Sequence, residues 1–417
     1  MAVSNTTTSP CTVAVAVSGG VDSLCALVML RQAGHRVLAL HGLFLPEAEL
    51  APPPGLEEAC AVLDVPLHIA DLRPVFQREV LAPFAAAYAA GRTPNPCALC
   101  NRAIKFGALL DAAQKLGAQK LATGHYARLV SAPEEDVPES RVMGRSGREH
   151  TSHDDTALKA TCQENTAHDD TLHLPLLAAA HDATKDQSYF LSLVPRARLA
   201  HACFPLADQD KTRTREIVAQ AGLTVPLPSE SQDICFAPAV GDSADQASSG
   251  GSVSEAYRPF LERHWQAASI MPPGPGPVVL RSADGTRREI ARHKGLWRYT
   301  EGQRKGLGIA HSEPLYVLAK DGFANTLVVG PRALLGVARC TTGIANVALP
   351  TQYWRREVLV RLRHRHRPAP ASVRLDVEGR LEIAFAEPQF PSAPGQVAAV
   401  YDAAGRVLAA GIVEFME

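Results

Sequence analysis

The stretch from Thr12 to Ser23, TVAVAVSGGVDS, decides the fold of this 417-residue chain. A β-branched apolar run at 12–17 gives way to Ser18-Gly19-Gly20, and from Val21 to Ala33 apolar residues recur at helical spacing. The segment reads as strand, tight loop, helix. Two glycines free the loop to curl, and a curled loop at a helix N-terminus aims successive N–H groups at one point, which makes an anion site. The Walker A spacing and its lysine are absent, which disfavours β/γ phosphoryl chemistry and implies a different cleavage of ATP. The bland alternative is a plain glycine turn in an α/β sheet.

Outward from this loop, RVLALHGL (36–43) reads as a second strand, Gly55 to Leu63 as a helix and Val65 to Ala70 as a third strand. Helical stretches follow over Val75–Ala90 and Ala98–Leu116, then a strand at QKLAT (119–123). Such alternation predicts a parallel sheet. From Ser131 to His173 periodicity stops and His-Asp-Asp-Thr occurs at 153 and again at 168, which reads as a flexible insertion; a divalent-metal reading lacks a rigid framework. Gly241 to Ser254 reads as a linker or mobile flap. Beyond Met271-Pro-Pro-Gly-Pro-Gly-Pro, short alternating runs (Leu315–Ala319, Thr326–Val329, Val358–Leu362, Val373–Val377) predict a small β-barrel or sandwich. The expected organisation is an α/β domain over 10–200, a small helical central domain over 201–272 and a β-rich domain over 273–417.

A composition of 46% hydrophobic and 20% charged residues excludes wholesale disorder, collagen-like chains and disulfide scaffolds. The 42 Lys+Arg nearly cancel the 43 Asp+Glu, so nucleic acid must be bound through local patches. Arg355 to Arg367 offers one, with six arginines and two histidines against Glu357. It reads either as a phosphate-tracking face of a strand or as a charged edge strand. Arg287 to Lys305 is a second basic cluster. Nine cysteines at irregular spacing, an opening MAVSNTTTSP without a charged or apolar leader pattern, and no bilayer-length apolar run predict a soluble cytoplasmic protein with free thiols.

Two of those thiols, Cys97 and Cys100 in TPNPCALCN (93–101), fall in the first turn of a helix, whose N-terminus favours the thiolate. Zinc competes for a CxxC, but no second pair at ligand spacing exists; a thioredoxin-like redox pair is the other alternative. A third thiol, Cys235, stands before an apolar residue in ESQDICF (230–236).

The loop at 18–23 resembles that of the ATP pyrophosphatases, or PP-loop enzymes. Together with TPNPCALCN, ATGHYAR (122–128), KDQSYFL (185–191), SQDICF, EGQRKGLG (301–308), Asn325–Gly330 and Pro394-Gly395-Gln396, it is similar to the tRNA-specific 2-thiouridylase family, in order over nearly the whole chain. The resemblance implies an N-terminal PP-loop domain, a small helical central domain and a C-terminal β-barrel-like domain. It also implies ATP and Mg²⁺, with adenylation of the C2 oxygen of a tRNA wobble uridine, release of pyrophosphate, then sulfur transfer from a cysteine persulfide and release of AMP. On this reading Ala16, Val17, Ser18, Gly19, Gly20, Val21, Asp22, Ser23, Gly42 and Gly124 bind ATP. Cys235 carries the persulfide, Cys100 is the nucleophile, and the two close a transient disulfide. Asn95, Pro96 and Cys97 line the target base, while His125, Lys185, Asp186, Gln187, Arg363, His364 and Gln396 contact tRNA. The flap after Cys235 folds over the flipped base. The implied partners are tRNA and a sulfur donor such as a cysteine desulfurase or persulfide relay protein, with no membrane and no resident metal-ligand set.

Two positions depart from the family pattern. Gly42-Leu43-Phe44-Leu45-Pro46 replaces the usual Met-x-x-Trp element, and Cys97 stands where some members carry an Asp. Two other readings keep parts of this picture: a PP-loop enzyme with a nitrogen nucleophile, for which neither cysteine matters, and a catalytically silent tRNA-binding protein.

Overall fold

A computed structural model describes residues 11–45, 52–131, 173–223, 234–236, 257–355 and 357–417. Strands β1 (Thr12–Ala16), β2 (Arg36–Leu43), β3 (Leu67–Asp71) and β4 (Lys120–Ala122) lie parallel. A short antiparallel pair, β5 (Arg128–Val130) and β6 (Leu176–Ala178), precedes β7 (Ala202–Cys203), which adds in parallel to β4. The sheet order is β3-β2-β1-β4-β7. The chain leaves β1 toward one edge and later returns to its other side, so the loop after β1 sits at the topological switch point, where such sheets bind ligands.

Helix Val21–Gln32 is buried continuously from Ser23 to Leu30 because β1 lies beneath it and helix Lys211–Gln220 packs over it. The opposite face of the sheet is covered by two helical runs, Arg73–Ala89 and Pro96–Lys115. Their Phe76, Phe84, Ile104 and Phe106 are fully buried.

Helix Arg258–Ala267 is stapled to the first run by the Trp265 indole, which donates to the Ala85 carbonyl at 3.0 Å. A separate sheet follows, built from β8 (Gly276–Arg281), β9 (Arg287–His293), β10 (Tyr316–Asp321) and β11 (Thr326–Gly330) in the order β10-β11-β8-β9. The last unit uses β12 (Val337–Ile344), β13 (Asn346–Val347), β14 (Val358–Arg361), β15 (Ala369–Leu375), β16 (Arg380–Gln389), β17 (Val397–Tyr401) and β18 (Val407–Met416). Pairing of β12 with both β16 and β18 closes it into a barrel, which leaves its main strands no free edge.

The parallel sheet and the β-barrel are as expected. The boundary drawn at 200/201 falls just before β7, a strand of the parallel sheet, and the span 273–417 divides into two sheets. The basic stripe at 355–367 is corrected: β14 ends at Arg361, whose guanidinium turns inward onto Asp186 at 2.7 Å, so only Arg365 and Arg367 of its second half are exposed. Most of the expected insertion at 131–173, the flap at 241–254, and residues 230–233 of ESQDICF lie outside the described residues. Among the described residues, no helix is long and apolar enough to cross a membrane.

Candidate active site

At the C-terminal end of β1 the loop closes on itself through its serines. Ser23 Oγ donates to the Gly20 carbonyl at 2.8 Å and accepts the Ser18 N–H at 3.2 Å, while Gly19 takes φ +80°, the left-handed region. Gly20 caps the helix without a side-chain hydrogen bond, so the N-terminal amides are not consumed by a capping side chain. His41 on β2 holds the Val17 carbonyl at 2.8 Å. Gly42, next on β2, leaves the space filled by the Phe44 ring, which a Cβ there would approach to 2.7 Å. The loop after β4 presses against this one: a Cβ on Gly124 would stand 2.8 Å from the Asp22 carbonyl carbon and 2.9 Å from the Ser23 nitrogen. Asp22 accepts from the Tyr126 hydroxyl at 3.0 Å and receives Lys211 Nζ on both oxygens at 2.8 Å.

The thiol end is built by three elements. Asn95 Oδ1 caps helix Pro96–Cys100 by accepting the Ala98 N–H at 3.2 Å, which fixes Cys97 and Cys100 on the first turn. The helix continues through a π-type stretch, Asn101–Leu109, broken at Gly107 (φ −102°, ψ −109°). Arg198 donates to the carbonyls of Phe106 (2.6 Å) and Gly107 (2.7 Å) at that break. Cys235 is located by its neighbour: Phe236 packs edge-on to Phe84 at 5.0 Å and to Phe76 at 6.0 Å. Cys97 and Cys235 are exposed, Cys100 is buried, and all three are free thiols.

The expected thiolate at the helix N-terminus is not what the site favours at rest. Burial pushes the Cys100 thiol up to about 12, and partial desolvation also raises Cys97 and Cys235 although both residues still reach solvent, with the Lys105 ammonium pulling all three the other way. Desolvation wins at Cys100 because the loss of water around a buried sulfur outweighs the favourable charge at a helix N-terminus. His125 is buried, contacts Thr123 Oγ1 at 2.8 Å and Lys105 Nζ at 3.3 Å, and is held well below the usual imidazole range by burial and then by Lys105.

The Thr93–Pro96 loop that carries the thiols is clamped by both β units. Gln396 Nε2 donates to the carbonyls of Thr93 (2.9 Å) and Pro94 (3.1 Å), and the Asn95 N–H reaches the Gly395 carbonyl at 3.2 Å. From β10, Lys320 Nζ donates to Thr93 Oγ1 at 3.1 Å and lies 3.5 Å from Glu301, with side chains only 2% and 5% exposed. Burial drives Glu301 up and Lys320 down, toward a neutral pair, while their mutual charge opposes this.

Family models match the chain in three consecutive pieces: a tRNA methyl transferase HUP domain over 11–239, a tRNA methyl transferase PRC-barrel domain over 268–331 and an aminomethyltransferase beta-barrel domain over 346–413. The tRNA-specific 2-thiouridylase MnmA of Oleidesulfovibrio alaskensis is 46% identical over 408 residues, covering 96% of this chain and 98% of the relative. The chain belongs to the MnmA family. Proteins of that same description in Nitratidesulfovibrio vulgaris (strain DP4; 43% over 402 residues, 96% and 98% covered) and Thermosynechococcus vestitus (36% over 408 residues, 96% and 94%) extend the match.

In this MnmA-family chain Gly124 abuts Asp22 and Ser23 of the loop that follows β1, with Gly42 on the adjoining strand β2. Cys97, Cys100 and Cys235 lie close enough to share the charge of Lys105, which contacts His125, and Asn95 caps the helix that carries the first two thiols. Lys185, Asp186 and Gln187 separate from one another: Asp186 is buried against Ser188 and Arg361, Gln187 accepts the Tyr126 N–H at 3.0 Å, and Lys185 stays partly exposed. Arg363 donates to the Glu301 carbonyl at 2.7 Å, His364 donates to the Asp186 carbonyl at 3.0 Å, and Gln396 holds the thiol loop. Sequence reading missed Lys105, Lys211 and Lys320. The first had a signal, since it follows Cys100 by about one helical turn; Lys211 pairs with a residue 189 positions away and had none.

Proposed function

We propose that this chain thiolates tRNA: it adenylates the C2 oxygen of the wobble uridine and replaces it with sulfur. The observation that carries the reading is the link between the loop after β1 and the three free thiols: Gly124 abuts Asp22 and Ser23, and its neighbour His125 contacts Lys105, whose charge reaches Cys97, Cys100 and Cys235. An oxide is a very poor leaving group, so the oxygen must first become part of AMP. The amides of Gly19, Gly20 and Val21 and the hydroxyls of Ser18 and Ser23 bind the pyrophosphate side. Mg²⁺ typically takes one or two carboxylates plus phosphate oxygens, a demand that Asp22 fits once its lysine partner exchanges, and it would neutralise the departing charge.

Sulfur then moves in two balanced steps. The terminal sulfur of a Cys235 persulfide attacks C2; the C–S bond forms, the C–O bond breaks and AMP leaves with the electron pair. The Cys100 thiolate next attacks Cys235 Sγ, which forms the Cys100–Cys235 disulfide and releases the outer sulfur to the uridine as the thiocarbonyl. The sulfane sulfur is reduced, two thiols are oxidised, and a thiol reductant must reopen the disulfide. Asn95, Pro96 and Cys97 border the base, which must leave its stack to reach them. A cysteine desulfurase or a persulfide relay protein supplies the sulfur.

The test is nucleoside mass spectrometry on unmodified tRNA incubated with the protein, ATP, Mg²⁺ and a persulfide donor. Expected is 2-thiouridine that disappears in Cys100→Ser and in Cys235→Ser. Pyrophosphate without thiouridine in the parent protein would move it to another nucleophile.

A further inference from the structure

We propose that Lys105 is a further catalytic residue of this site, the cation that stabilises its sulfur anions, the Cys100 thiolate and the perthiolate on Cys235, with Thr123 and His125 holding its ammonium in place. The inference rests on the thiolation reading and assigns a role to a side chain which that reading leaves unused.

Geometry comes first. In an ordinary α-helix a residue five positions on lies about 140° round the axis. The stretch from Asn101 to Leu109 is wound with i→i+5 hydrogen bonds, and that wider turn narrows the angle, which leaves Lys105 toward the side that carries Cys100. The ammonium is then tethered on its far side. Lys105 Nζ lies 3.3 Å from His125 Nε2, and His125 Nδ1 lies 2.8 Å from Thr123 Oγ1. An ammonium has only donors, so Nε2 must accept and the single ring proton sits on Nδ1, donating to the threonine hydroxyl. The chain Thr123–His125–Lys105 works only with a neutral imidazole, the form that burial imposes here.

Charge makes the second argument. The transfer requires an anionic sulfur twice, first on the persulfide and then on Cys100, yet desolvation disfavours the anion at buried Cys100 and, in part, at the solvent-reaching Cys97 and Cys235. Among the described residues, Lys105 is the cation whose charge acts on Cys97, Cys100 and Cys235 together, and the other titratable group facing it is the neutral His125. A fixed charge in a partly desolvated cleft is far more effective than one in water. Each ionisation leaves the electron pair on sulfur and sends its proton to solvent on the side where Cys97 and Cys235 are exposed.

The experiment uses the full chain without tRNA or sulfur donor: iodoacetamide labelling of Cys97, Cys100 and Cys235, followed by peptide mass spectrometry over a range of pH. Lys105→Met, Lys105→Gln and Lys105→Arg are compared with Lys115→Met, which removes an exposed lysine further along the same helical run. Glutamine keeps an N–H donor toward His125 without the charge, so it separates charge from packing and serves if the methionine variant fails to fold. Expected is a labelling profile displaced to higher pH in the Gln and Met variants, about tenfold slower at a fixed pH for each pH unit of displacement. Arginine should restore most of the labelling, and Lys115→Met should match the parent. 2-Thiouridine formation should fall in step with labelling. Folded Gln and Met variants whose labelling profiles superimpose on the parent would overturn the proposal. Absence of thiouridine from the parent protein would instead sink the thiolation reading and leave the labelling result standing.

Discussion

Gly124 shows how one missing side chain can let two loops meet. Its neighbours across the crevice are the backbone atoms of Asp22 and Ser23, which cannot rotate away from an added methyl group. Gly124→Ala should therefore displace the phosphate loop, and on the scale of a misplacement near 1 Å pyrophosphate formation should fall by about 100-fold; a pyrophosphate-release assay reads it directly. His125 makes a different prediction. Its folded form resists protonation, whereas the unfolded chain takes up a proton as pH drops through the ordinary imidazole range near 6.5. Stability is thus fully present above that range and is lost as pH falls below it. His264, His364 and His366 shift in the same direction and add to the slope. Thermal melts from pH 7.5 to 5 should show a falling midpoint, with a shallower fall in His125→Gln. The glycines and cysteines of the site were legible as residues because their loops have local signatures. The neutral state of His125 was not, since it depends on what buries it.

At the scale of elements, the Thr93–Pro96 loop is a short proline-rich turn that holds its shape through contacts from two other units. Gly395 sits at φ +99° with a would-be Cβ 3.0 Å from the Thr93 carbonyl, so only glycine lets the barrel loop approach this closely. On the other side the buried Lys320–Glu301 pair reaches Thr93 from β10. Removing Lys320 leaves the buried Glu301 carboxyl without its partner, so Lys320→Met should cost about 1–3 kcal/mol. Lys320→Met combined with Glu301→Leu should recover most of that, as read from urea unfolding midpoints. Gln396→Ala, by contrast, should leave unfolding nearly unchanged and slow thiouridine formation, because it loosens only the loop that aims the thiols. Sequence reading placed TPNPC on a loop leading into a helix. It could not see the clamp, whose parts come from near residues 93, 301–320 and 394–396.

At the scale of the whole molecule, the segment KDQSYFL joins the parallel-sheet unit to the barrel. Asp186 pairs with Arg361 at 2.7 Å, Ser188 meets the Tyr401 hydroxyl at 3.2 Å, and the Tyr189 hydroxyl donates to the Val397 carbonyl at 3.0 Å. Asp186→Ala leaves the Arg361 guanidinium largely buried without its carboxylate, at a cost of about 3–5 kcal/mol. Calorimetry should then resolve two unfolding transitions where the parent protein has fewer. The sequence by itself determined the parallel sheet, the glycine loop after its first strand, the three thiols and the β-rich tail, because strand and helix periodicity, glycine turns and cysteine spacing are local properties of the chain. Only the tertiary structure decided which arginines of 355–367 face inward, which lysine serves the thiols and which serves Asp22. Those outcomes depend on desolvation and on pairings between residues as far as 189 positions apart, and neither leaves a mark in local sequence.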